Sequence, residues 1–140
     1  MSEMGLETEI NDHSIKRLVD HFYGKVIEDD LLGPVFRNAI GESLDDWGDH
    51  LATMYRFWSS VMLTTGRYKG NPVKAHMELV DQVEPHFFEH WLTLWTEASE
   101  EVFVPDLAIA FQKKAKSIAQ SLSFMMFERF MPDTLSARPA

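Results

Sequence analysis

The sequence predicts an all-α fold, and three observations carry that expectation. Apolar residues recur at three- and four-residue spacing in almost every segment, no stretch alternates with a period of two, and glycine, proline or a capping residue punctuates each periodic run. At 140 residues the chain is one domain's worth of polypeptide, long enough to bury roughly two-thirds of its unfolded surface around a single core. No repeat, low-complexity tract or linker divides it. The expected organisation is a disordered N-terminal segment over 1–11, a single domain over 12–128 and a C-terminal tail over 129–140.

Taken in order, the first helix has a cap on offer at Asp12 to Ser14 and one broad stripe of Ile15, Leu18, Val19, Phe22, Tyr23, Val26 and Ile27, with Gly33-Pro34 closing it. A short connection carrying Phe36 and Gly41 leads to Ser43, which with Asp46 makes a capping box for the next helix. That helix buries Trp47, Leu51, Met54, Phe57, Trp58, Val61 and Met62, and Gly66 ends it. After a loop to Asn71, Pro72 starts a short helix with Val73, His76, Leu79 and Val80 on one side and Lys74 and Glu78 on the other. Glu84-Pro85 starts a longer helix through about Phe103, burying Phe87, Phe88, Trp91, Leu92, Leu94, Trp95, Ala98 and Val102. Pro105-Asp106 starts the last, with Leu107, Phe111, Ala115, Ile118, Leu122 and Met125 inward.

Composition narrows the function. A formal charge of -9, from 22 acidic against 13 basic side chains, repels nucleic-acid backbones and anionic lipid alike, so neither nucleic acid nor membrane is an expected partner. The absence of cysteine removes disulfides, thiolate catalysis, iron–sulfur clusters and covalent haem attachment through C-x-x-C-H. With no N-terminal signal pattern and no apolar run near the ~18 residues of a membrane span, the expected location is cytoplasmic. Ten Phe and four Trp are more aromatic surface than a plain bundle needs, which hints at a ligand pocket.

Two histidines sharpen the hint. His50 and His76 fall inside the apolar stripes of consecutive helices, and a buried imidazole has two ring nitrogens that need partners. Either one alone reads most simply as a core residue bonded to a backbone carbonyl; the pair points to a shared partner, inferred to be an iron porphyrin. Tyr23 and Trp91 also stand on buried faces with a polar atom to satisfy, although each is explicable by packing. The run His86-Phe87-Phe88-Glu89-His90 matches the H-x-x-E-H of one zinc peptidase group, but its histidines fall on the polar side of their helix and only 50 residues follow for a third ligand. His13 and His21 lie on polar positions.

The ordered set Phe22-Tyr23, Gly33-Pro34-x-Phe36, Trp47-x-x-His50, Phe57-Trp58, Tyr68-x-Gly70-x-Pro72-x-x-x-His76 and Phe87-Phe88-x-x-Trp91-Leu92 resembles the third group of truncated haemoglobins, from about residue 12 to 126. The resemblance implies a truncated globin fold, a 2-on-2 helical sandwich around non-covalent haem b, with His76 as the iron ligand. It further implies Tyr23, His50 and Trp91 on the ligand-stabilising side, and Phe22, Phe36, Met54, Trp58, Tyr68 and Phe88 against the cofactor. The lack of a Gly-Gly pair agrees with the third group, whereas Met54 stands where relatives more often carry a branched aliphatic side chain. Arg67, Lys69 and Lys74 are candidates to meet the propionates, as well as ordinary surface cations.

The function this implies is reversible binding of oxygen, and of nitric oxide or carbon monoxide, at five-coordinate iron beneath polar donors that slow release, with an unknown reductase as protein partner. One alternative is a haem redox enzyme of the peroxidase or nitric oxide dioxygenase type, with His50 as proton carrier. Another is a cofactor-free helical interaction module.

Overall fold

The computed structural model describes residues 5–42, 44–72, 76 and 83–128; the Ser43 cap, the Lys74 and Glu78 face and the tail from 129 lie outside these. Among the described residues the chain forms α1 (Asp12–Glu28), α2 (Leu32–Ile40), α3 (Leu44–Leu63), α4 (His86–Val102) and α5 (Pro105–Ser123), then a wider π-helical turn (Phe124–Glu128). His76 stands on further helical backbone between α3 and α4. No described helix is long and apolar enough to cross a membrane.

The cap of α1 is one residue earlier than expected. Asn11 is extended, its side chain accepts from Ser14 N–H at 2.8 Å, and Ser14 Oγ accepts in return from Asn11 N–H at 2.9 Å. Ahead of it, the segment expected to be frayed is tied down from Gly5 onward. Glu7 N–H donates to Val102 O and Val104 N–H to Glu7 O, while Arg17 reaches both Gly5 O and the Glu7 carboxylate.

The stretch read as a connection is helix α2, and Gly33-Pro34 open it rather than close α1. Proline is tolerated in a first turn because its missing N–H has no intrahelical partner there anyway. Asp29 supplies the cap, its carboxylate accepting from Leu31 and Leu32 N–H at 3.0 and 2.8 Å. Gly33 is required by proximity: a Cβ at this position would lie 2.9 Å from Ile27 O and 3.2 Å from Val26 O, backbone atoms of the last turn of α1. Gly33→Ala is therefore expected to destabilise the fold by about 1–3 kcal/mol, outweighing alanine's better helix propensity; a denaturant midpoint unchanged from wild type would contradict this.

Helix α3 stops at Leu63, three residues before Gly66, because Thr64 already takes a left-handed conformation (φ 54). In α5, Ala108, Ala115 and Ala119 form a stripe of small side chains that lets α4 pack close. The core lies where α1 meets α3 and α4, and where α4 meets α5. It is built on Ile15, Leu18, Val19, Phe22 and Val26 with Trp95, Val102, Phe103 and Phe111. Met126 rather than Met125 is the buried methionine, one turn on from buried Leu122. Ile27, expected in the α1 stripe, is 41% exposed. The first half of α4 is only half-buried, and the reason is a cavity beside it.

Candidate functional site

A cavity of about 570 Å³ opens between α1, α2, α3, α4, α5 and the segment carrying Tyr68, Pro72 and His76. It brings together all ten side chains singled out from sequence: Phe22, Tyr23, Phe36, His50, Met54, Trp58, Tyr68, His76, Phe88 and Trp91. Sequence reading missed the α2 wall of Leu32, Val35, Phe36, Ala39 and Ile40 as a unit, although its helical spacing is legible once Gly33-Pro34 is read as a start. It also missed Thr53; Ile118 and Leu122 of α5, read as inward-facing, line the cavity as well.

The two histidines differ in their hydrogen bonding. His76 Nδ1 lies 2.7 Å from Pro72 O, one helical turn back. A carbonyl only accepts, so Nδ1 carries the proton and donates, and Nε2 is left as the nitrogen with a free lone pair. His50 Nε2, by contrast, is buried without any hydrogen-bond partner among the described residues. Burial, then the field of His76, push the His50 imidazole down to about 4, so it is neutral at pH 7.

That shift has a signed consequence for stability. Between about pH 6.5 and 4 the unfolded chain binds a proton at His50 that the folded chain refuses, so stability falls as pH drops through this window and is unaffected by His50 above it. Wild type is expected to lose stability relative to His50→Leu across that window, by no more than about 1.4 kcal/mol per pH unit. Parallel acid titrations of the two proteins by circular dichroism measure this, and curves that superimpose would exclude the effect.

Tyr23 packs its ring among Phe22 (4.9 Å between centroids), Phe36 (5.7 Å), Trp47 (6.0 Å) and His50 (5.1 Å, perpendicular). Burial raises its phenol above the usual range, so the hydroxyl stays a donor at every working pH. Trp47 fixes this corner from behind: its indole N–H donates to Gly41 O at 2.9 Å and its ring abuts His50. Trp91 presents to the cavity from α4, with Phe22 edge-on at 5.7 Å.

At the mouth, Thr53 and Tyr68 are shared with a second groove that also holds Arg56, Arg67 and Lys69. Gly70 lets the Tyr68 ring lie across this loop, since a Cβ there would meet the Tyr68 hydroxyl at 2.5 Å. Arg67 is engaged with Asp12 at 2.9 Å, while Lys69 has no ion-pair partner among the described residues. The H-x-x-E-H histidines diverge. His86 sits 3.6 Å from Glu84, and His90, expected to be solvated, bonds Asp29 at 2.6 Å and so links α4 to the cap of α2. No group of three metal-ligating side chains occurs among the described residues.

No protein-family model matches the chain. It is 38% identical over 125 residues to the group 3 truncated hemoglobin ctb of Campylobacter jejuni, covering 89% of this chain and 97% of that protein. A crystal structure of a group III truncated hemoglobin from Campylobacter jejuni superposes with a TM-score of 0.84 at 35% identity, covering 89% of this chain and 98% of that one.

Proposed function

This chain belongs to the group 3 truncated haemoglobins, and on that premise we propose that it holds haem b non-covalently through His76 and binds oxygen and other diatomic gases beneath Tyr23, His50 and Trp91. The observation that carries the reading is the pair of unlike histidines on one apolar cavity, one with Nδ1 tied to a carbonyl and Nε2 free, the other with a buried nitrogen lacking any partner. Imidazole ligands of metals are held in this way, the second nitrogen donating to a carbonyl that fixes the tautomer and raises ligand basicity. The cavity also falls in the ~300–1,000 Å³ range of cofactor sites. The absence of cysteine removes thioether attachment through C-x-x-C-H, which supports the non-covalent reading.

Haem, when bound, supplies an iron with one position open to a gas molecule and draws partial negative charge onto that ligand. The chain's part is to hold the group and to present donors. Pro72 O orients the His76 ring, and the aromatic and aliphatic walls exclude water from both faces. Lys69 and Arg56, in the groove beside Tyr68, would supply positive charge to the propionates, Arg67 being committed to Asp12; Lys74 lies outside the described residues. The Tyr23 hydroxyl and the Trp91 indole N–H, both on the cavity, would be the donors to that ligand. Each bond to a charge-bearing acceptor contributes about 1.5–3 kcal/mol in a site shielded from water.

Titration of the purified protein with haemin tests the reading: a Soret band saturating at one haem per chain is expected, and a chain that leaves haemin in its free spectrum would overturn it. Redox chemistry on nitric oxide or peroxide is a second reading favoured by one observation, the His50 Nε2 on the cavity that has no hydrogen-bond partner among the described residues and is therefore available to a proton of the substrate. Turnover with a reductant no faster than free haem would dismiss it.

A further inference from the structure

Three of the four tryptophans form one stack. Trp91 and Trp95 are four residues apart on α4, so their rings project from the same face, and they lie nearly parallel at 5.9 Å and 6°. Trp58 of α3 stacks on Trp95 at 4.5 Å and 19°. Trp58 and Trp91 both reach the cavity, whereas Trp95 is 1% exposed and stands behind them in the core. Phe22 packs edge-on against Trp91 and Trp95. The buried Trp95 indole N–H donates to Phe111 O at 3.3 Å.

Filling volume does not require this arrangement; branched aliphatic side chains fill a helix interface as well. Indole is, with phenol, the side chain that most readily gives up a single electron. Stacking delocalises the positive charge that remains, and the facing rings stabilise it through their negative π-faces. A carbonyl as hydrogen-bond partner polarises the N–H toward that charge yet cannot take the proton, so the oxidised form this site favours is the radical cation.

We propose that the Trp58–Trp95–Trp91 column is a one-electron donor to the cavity, storing an oxidising equivalent when the haem-loaded protein reacts with hydrogen peroxide. The inference rests on the haem reading above. The O–O bond of peroxide breaks and both oxygens end at the oxidation level of water. Of the two electrons this takes, one comes from the iron and one from the column, and the two protons of the peroxide leave with the departing water. The equivalent left on the column is then available to a small one-electron reductant. The competing source is Tyr55, whose hydroxyl donates to Asp20 at 2.5 Å and so has a base for the proton that phenol oxidation releases. Tyr23 has no such acceptor among the described residues.

The test is electron paramagnetic resonance on haem-loaded protein frozen seconds after adding hydrogen peroxide, in parallel samples carrying indole-deuterated tryptophan or ring-deuterated tyrosine. The expected result is an organic radical whose hyperfine pattern narrows with the tryptophan label alone. Its yield should fall several-fold in Trp95→Phe, with haem content and Soret band unchanged. A pattern that narrows with the tyrosine label, or no organic radical, would overturn the proposal while leaving haem binding intact. Failure to take up haem at the start would overturn both. If Trp95→Phe does not fold, the labelled wild type and Trp58→Phe decide the matter.

Discussion

His76→Gly is expected to empty the cavity of pigment. The substitution deletes the one nitrogen whose lone pair the Pro72 hydrogen bond leaves free, so the protein should purify nearly colourless and bind haemin more weakly. Loss of a partner that merely supports a metal ligand costs about 10–100-fold in affinity, and loss of the ligand itself should exceed that. Free imidazole fits the space the side chain vacates, and adding it should restore both uptake and the ferrous spectrum. Restoration separates a lost bond from a lost fold, because an unfolded chain gains nothing from imidazole. Haem retention unchanged in the variant, with no imidazole in the buffer, would remove His76 from its assigned role.

Tyr23→Phe is expected to accelerate oxygen release by about ten- to a hundredfold. The substitution keeps the ring contacts with Phe22, Phe36, Trp47 and His50 and removes only the hydroxyl. A hydrogen bond to a charge-bearing acceptor is worth about 1.5–3 kcal/mol, and each 1.4 kcal/mol acting on the bound state alone is tenfold in the dissociation rate. Stopped-flow displacement of oxygen by carbon monoxide measures that rate directly. Equal rates in the two proteins would mean that Trp91 or His50 carries the stabilisation and Tyr23 only packs.

The helices and the cavity wall were legible for different reasons. Helix identity follows from spacing, and α1, α3, α4 and α5 could be read because each keeps one apolar face over several turns. The site residues stood out as polar or aromatic groups on those faces. His50, Tyr23 and Trp91 occupy positions where Leu would satisfy packing, and the structure gathers them on one cavity. Helix α2 was lost to local punctuation. Gly33-Pro34 is a stop signal in isolation, and only the close approach of the Ile27 and Val26 carbonyls, a tertiary fact, explains why glycine stands in a first turn. The His90–Asp29 bond was lost for a related reason, since a histidine on the polar side of one helix reads as solvated until a neighbouring carboxylate is placed beside it. The tryptophan column, likewise, needs the α3–α4 packing that brings Trp58 onto Trp95.

The most direct test of the central claim is the iron–imidazole stretching band of the ferrous, gas-free protein, recorded by resonance Raman spectroscopy. The expected result is a single band that is absent from His76→Gly and returns when imidazole is added. A band that persists in His76→Gly, or that disappears in His50→Leu instead, would contradict the assignment of the two histidines and with it the reading of the cavity.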